Sequence, residues 1–130
     1  MVKDPTSNLI ISLKNASSAK KGSVQVPYSR MNMDILSVLE KEGFVASVDK
    51  SGKEDRKHID VVLKYEKGSP VISDVKRISK FSCRVYQGVK DIKPIRHGFG
   101  LLVLSTPHGI ISGAQAHKLN TGGEALFEIW

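Results

Sequence analysis

Gly68-Ser69-Pro70 separates two stretches of different hydrophobic periodicity, and that change constrains the fold more than any other feature of the chain. Before it, apolar residues recur at helical spacing: Leu9, Leu13 and Ala16 fall at i, i+4 and i+7, and Ile35, Leu36 and Leu39 make a second stripe. After it, short apolar runs bounded by turn formers predominate and read as strands. A three-residue turn cluster is too short for a flexible linker, and 130 residues suffice for a hydrophobic core. The predicted organisation is α+β. An N-terminal αβαββ module, residues 1–68, packs against a mainly β C-terminal module, residues 69–130, that has one short helix.

Local signals place the elements. Asp4 is the expected N-cap of a first helix with Pro5 at its first position, running to about residue 20 and broken by Gly22. Ser23 to Val26 reads as a strand ended by Pro27; Ser29 caps a second helix, which stops at Gly43. Phe44 to Val48 and Ile59 to Tyr65 read as paired strands, with a turn over Ser51-Gly52-Lys53-Glu54-Asp55. Further on, Val71 to Ser79, Cys83 to Tyr86, Leu101 to Leu104 and Ala125 to Trp130 are predicted strands, and Ser112 to Leu119 a helix.

Charge points to a polyanionic partner. The net charge is +7, and between residues 69 and 98 Lys76, Arg77, Lys80, Arg84, Lys90, Lys93 and Arg96 face only Asp74 and Asp91, a local excess of five. The single cysteine, Cys83, forbids an intramolecular disulfide and a Cys-rich metal site, and it is expected to be a small buried residue. His97, His108, His117 and Cys83 lack a compact ligand spacing, so neither metal nor other cofactor is expected. Ser105 with one of those histidines and Asp91 lacks the Gly-x-Ser-x-Gly context of a nucleophile elbow, which argues against a hydrolase. The N-terminal residues lack a secretory pattern, and no apolar run approaches the roughly 20 residues that cross a bilayer, so a soluble cytoplasmic protein without membrane contact is expected.

The C-terminal stretch is the most specific. Ser105-Thr106-Pro107-His108-Gly109 reads as a polar loop between strands, and Gly122-Gly123-Glu124 precedes the last one. Short hydroxyls cost little side-chain entropy to order, and Gly109, Gly113, Gly122 and Gly123 are expected to let the backbone approach another molecule or take positive φ. Together with Val26-Pro27-Tyr28-Ser29, Leu39-Glu40-Lys41-Glu42-Gly43-Phe44, Arg77-Ile78-Ser79 and Arg84-Val85-Tyr86, in that order, these motifs resemble the S-eight family of small-subunit ribosomal proteins of bacterial type.

The resemblance implies a structural constituent of the small subunit that binds the central domain of its ribosomal RNA and supports assembly, beside a neighbour of the S-five family. It implies that Ser105 and Thr106 open the RNA-contacting loop and that Glu124 braces it. A free-standing repressor acting on its own messenger RNA is the alternative, and an organellar ribosome is an alternative location. Lys76, Arg77, Lys80 and Arg84 are candidate phosphate contacts, although adjacent strand residues such as Lys76 and Arg77 point to opposite faces. Tyr86 is a candidate for stacking or for the core; Lys14, Asn15 and Arg30 are secondary candidates. The chain departs from the family pattern at Pro107-His108, at Lys80-Phe81-Ser82-Cys83-Arg84, where Phe81 offers an apolar contact, and at Ser112-Gly113-Ala114-Gln115. Proline has no hydroxyl or amide donor, and its fixed φ stiffens the turn.

Overall fold

The computed structural model describes residues 5–53, 57–80, 82–93 and 100–130; Asp4, Phe81, Arg96, His97 and part of the turn expected over 51–55 lie outside them. By compactness the chain falls into two units, one of Pro5–Ser73 and one containing Asp74–Trp130.

In the first unit, helix α1 (Pro5–Ser18) and helix α2 (Arg30–Lys41) accompany an antiparallel sheet of strands β1 (Ser23–Pro27), β2 (Val45–Ser51) and β3 (His58–Leu63) in the order β1-β3-β2. Leu9, Ile10 and Leu13 of α1, Ile35, Leu36 and Leu39 of α2, and Val26, Ile59 and Val61 of the sheet are all buried, as the two periodicities require. Ser29 caps α2 by accepting from the Asn32 amide at 3.0 Å. A two-residue hairpin follows: β4 (Tyr65–Glu66) pairs with β5 (Ser69–Pro70). Its corner residues Lys67 and Gly68 both have positive φ, 52° and 81°, as a primed turn demands. The turn cluster at residues 68–70 thus closes this hairpin, while the compact units part after Ser73.

The described residues of the second unit form one sheet, one short α-helix and a 3-10 turn at Val89–Asp91. Strands β6 (Val75–Arg77), β10 (Gly123–Ile129), β8 (Leu101–Thr106) and β9 (Gly109–Ser112) lie in that order, and β7 (Tyr86–Gln87) also pairs with β10; helix α3 spans Gly113–Lys118. Leu102, Leu104, Ala116, Ala125 and Ile92 form a core cluster with Ile78 and Ile111 packed on it. Leu101 to Leu104 are all buried, which is why β8 reads as an unbroken apolar run rather than an alternating one. The predicted strand over Val71 to Ser79 shortens to β6, and the expected Ser105–Gly109 loop is the tip of the β8–β9 hairpin.

The three α-helices of the described residues stop in the same way. The residue two beyond the last helical one has left-handed φ: Lys20 (56°), Gly43 (85°) and Asn120 (52°). In each, two reverse bonds close the last turn, for α1 from the Lys20 amide to Ser17 O and from the Lys21 amide to Ala16 O. Lys20, not Gly22, therefore ends α1.

Candidate nucleic-acid interface

β10 runs beside both β7 and β8, and its register makes Tyr86, Glu124 and Ser105 direct cross-strand neighbours. Paired residues of antiparallel strands share a face with Cβ atoms roughly 5 Å apart, so the three side chains form a row about 10 Å long. Tyr86 is 72% exposed, which excludes it from the core, while Glu124 and Ser105 are half-buried. The row depends on glycine. A Cβ on Gly123 would lie 2.8 Å from Thr106 Cγ2 and closer still to Ser105 O; one on Gly122 would lie 2.8 Å from Gly88 Cα and closer still to Gln87 O. Gly122 and Gly123 thus admit the chain's own strands β7 and β8, where approach to another molecule was expected.

Glu124 braces a different segment from the one expected. Its Oε2 accepts from the Ser79 hydroxyl and from Arg84 Nη1 at 3.0 Å, so it holds the connection from β6 to β7. Partial burial pushes the Glu124 carboxyl up, but the bonds from Ser79 and Arg84 and the charges of Arg84 and Arg77 outweigh it and hold the group below its ordinary range. Ser79 is the residue that the sequence left without a role. It is fully buried, and its oxygen also accepts from the Val85 amide at 3.1 Å.

The hairpin tip is held by itself. Pro107 fixes a negative φ, which rules out a primed turn, and Gly109 recovers the strand twist with φ 103°. The Thr106 hydroxyl donates to Gly109 O at 2.8 Å and accepts from the His108 amide at 3.1 Å. Pro107 and His108 are exposed at the corner. Among the described residues the Ser105 hydroxyl has no hydrogen-bond partner, so it is the free donor of the pair.

The expected cations divide. Arg84 is exposed and tied to Glu124. Lys80 is exposed on a tight turn in which its amide and carbonyl bond Cys83 in both directions; Cys83 is exposed there, contrary to the buried position expected, because the turn lies outside the named strands. Lys76 pairs with Glu128, which the bulge between Ala125 and Phe127 puts on the opposite sheet face from Glu124 and three β8 residues, or roughly 10 Å, along the sheet. Arg77, on the opposite face from Lys76, is half-buried and donates from Nη1 to Leu126 O at 3.2 Å. The structure therefore brings Arg84 to the row and leaves Lys76 away from it. In the first unit, Lys14 is half-buried and Asn15 and Arg30 are exposed.

Ser51, His58 and Asp60 cluster on the first unit's sheet. The Ser51 hydroxyl donates to Asp60 Oδ2 at 2.8 Å, a bond that chiefly holds that carboxyl below its ordinary range, and it lies 2.7 Å from His58 Nε2. Since the serine proton goes to the carboxylate, the imidazole must donate to the serine, the reverse of what activates a nucleophile. His117 Nε2 donates to Ile92 O at 2.7 Å, a structural link. No group of three His, Cys, Asp or Glu among the described residues could hold a metal ion, and no helix among them is long and apolar enough to cross a membrane.

An exposed ring, a hydroxyl without a partner among the described residues and an arginine held by a carboxylate gather at one end of a sheet in a basic α+β chain, and comparison places the chain among ribosomal proteins. The family model described as ribosomal protein S8 matches residues 4–130. The chain is similar to the small ribosomal subunit protein uS8 of Dictyoglomus thermophilum, 40% identical over 129 residues, covering 99% of this chain and 98% of the relative. It is similar to that of Nitrobacter hamburgensis, 42% identical with 98% and 97% covered, and to that of Solibacter usitatus, 37% identical with both chains covered in full. The chain belongs to the ribosomal protein S8 family, structural and non-enzymatic proteins of the small ribosomal subunit.

Proposed function

We propose that the chain binds the central domain of the small-subunit ribosomal RNA through its C-terminal module, residues 69–130, and supports assembly of the subunit in the cytoplasm. The observation that carries this is the row Tyr86, Glu124 and Ser105, with Arg84 fixed beside it. A-form RNA hides its base edges in a deep groove, so a protein reads minor-groove hydroxyls, unstacked bases and internal loops. Tyr86 offers a ring for stacking, Ser105 a free hydroxyl, Arg84 a phosphate contact, and the stiff Pro107-His108 corner with Gly109 fits a shaped surface. Lys80 and Lys76 add charge; Lys14, Asn15 and Arg30 are secondary contacts, and a protein of the S-five family is the proposed neighbour. Crosslinking to total cellular RNA tests the reading. Recovery of one segment of the central domain is the expected result; recovery of the chain's own messenger instead would favour a repressor, and a spread over unrelated RNA would refute specific binding.

A further inference from the structure

We infer that Ser79 is a positioning residue for RNA recognition, acting through Val85 and Glu124 on Arg84 and Tyr86; the inference rests on the proposed binding face. Ser79 lies two residues beyond β6, its own amide donating to Ala125 O at 3.0 Å, and its side chain is fully buried. From there the hydroxyl uses both of its capacities. It accepts from the Val85 amide and donates to Glu124, whose same oxygen receives Arg84. Val85 is also held at its other end, where its carbonyl accepts from the Ala125 amide at 2.9 Å. With both backbone groups of Val85 occupied, its two chain neighbours are set in place. Those neighbours are Arg84 and Tyr86, the exposed cation and the exposed ring.

A hydroxyl so placed cannot be replaced by packing. Alanine fills nearly the same volume but leaves the Val85 amide without its acceptor and Glu124 without one of its donors, in a site shielded from water. Ser79 touches no RNA in this account, so its effect must pass through the residues it places.

The test is a mutant cycle in the full chain, with affinity for a central-domain RNA fragment read at fixed salt. Ser79→Ala is expected to weaken binding about tenfold, and in a background that carries both Arg84→Ala and Tyr86→Ala to cost less than about twofold, since neither of the residues that it positions remains. Thr106→Val, in the self-contained hairpin, serves as the control and is expected to add independently to Tyr86→Ala. Full affinity in Ser79→Ala, or the same loss with and without Arg84 and Tyr86, would overturn the positioning role while leaving the binding face intact. A parent chain that fails to bind the fragment would overturn the binding face and the role with it. Should Ser79→Ala not fold, exchange of the Val85 amide in the parent decides: protection of at least about a hundredfold over an open peptide is expected, and exchange at the open-peptide rate would remove the bond on which the role depends.

Discussion

The β8–β9 hairpin and the connection from β6 to β7 meet β10 at the same end of the sheet, yet they are held in opposite ways. In the hairpin, every side-chain bond is local: Thr106 serves His108 and Gly109, two and three residues on. In the connection, the partner is distant, since Ser79 and Arg84 reach Glu124 across 45 and 40 residues of chain. The hairpin therefore keeps its shape if the sheet loosens, whereas the placement of Arg84 and Tyr86 draws on Ser79, Glu124 and the Ala125 amide, two of them on β10 some 40 residues away. The difference also separates hydroxyls that look equivalent in sequence. Thr106 is consumed by its own turn, and the Ser105 hydroxyl has no partner among the described residues.

The sharpest break in this comparison comes from the backbone contact that both segments share. Gly123→Ala should destabilise the C-terminal unit by about 2–4 kcal/mol, because the new Cβ meets strand backbone that cannot yield; urea unfolding measures it. A loss below about 1 kcal/mol would mean that β8 can retreat from β10.

Glu124→Gln separates the two segments. It should weaken binding to central-domain RNA by about 1–3 kcal/mol despite removing a negative charge, while the hairpin stays folded. Tighter binding would show that the carboxylate merely repels phosphate. The same group predicts a pH effect. Its folded pKa is depressed, so its contribution is complete above its ordinary value of 4.5 and is lost as pH falls through the lower folded value. Urea midpoints at neutral and acid pH should show a fall in the parent that is reduced in Glu124→Gln.

Within the hairpin, Thr106→Val and Ser105→Ala should trade places. Thr106→Val should cost about 1 kcal/mol or somewhat more in stability, for two turn bonds lost. Ser105→Ala should leave stability nearly unchanged and weaken cognate RNA binding by roughly 0.5–2 kcal/mol. The smallest effect is in salt dependence: Arg84→Ala should flatten the slope of log affinity against log salt by about one unit, and Lys76→Ala by less, given its place on the other face of the sheet. Equal slopes for the two would return Lys76 to the interface.

What the sequence made legible was local chemistry. The Ser29 cap, the Gly43 stop and the helical stripes are set by residues within about four positions of one another, and the structure has them where expected. The ends of α1 and of the β4–β5 hairpin were hidden because Lys20 and Lys67 adopt left-handed φ at a cost of about 1–2 kcal/mol that nothing in their side chains announces. β9 was hidden because Ile110-Ile111 is too short a run to separate from the loop before it. Ser79 was hidden for a stronger reason: its role is created by Glu124, 45 residues away, through sheet pairing that no local pattern encodes. Cys83 looked like core and proved exposed, since a turn formed by Lys80 and Cys83 leaves it outside the sheet.

The central claim is that recognition of a shaped RNA lies on the row across β7, β10 and β8. Tyr86→Ala tests it most directly, because the ring is largely exposed and its removal opens no core cavity. At fixed salt, affinity for the central-domain fragment should fall by about 1–3 kcal/mol, the scale of one stacked base, with thermal stability and affinity for an unrelated duplex unchanged. Equal affinity of Tyr86→Ala and the parent for the central-domain fragment, or an equal loss on the unrelated duplex, would contradict recognition at this row.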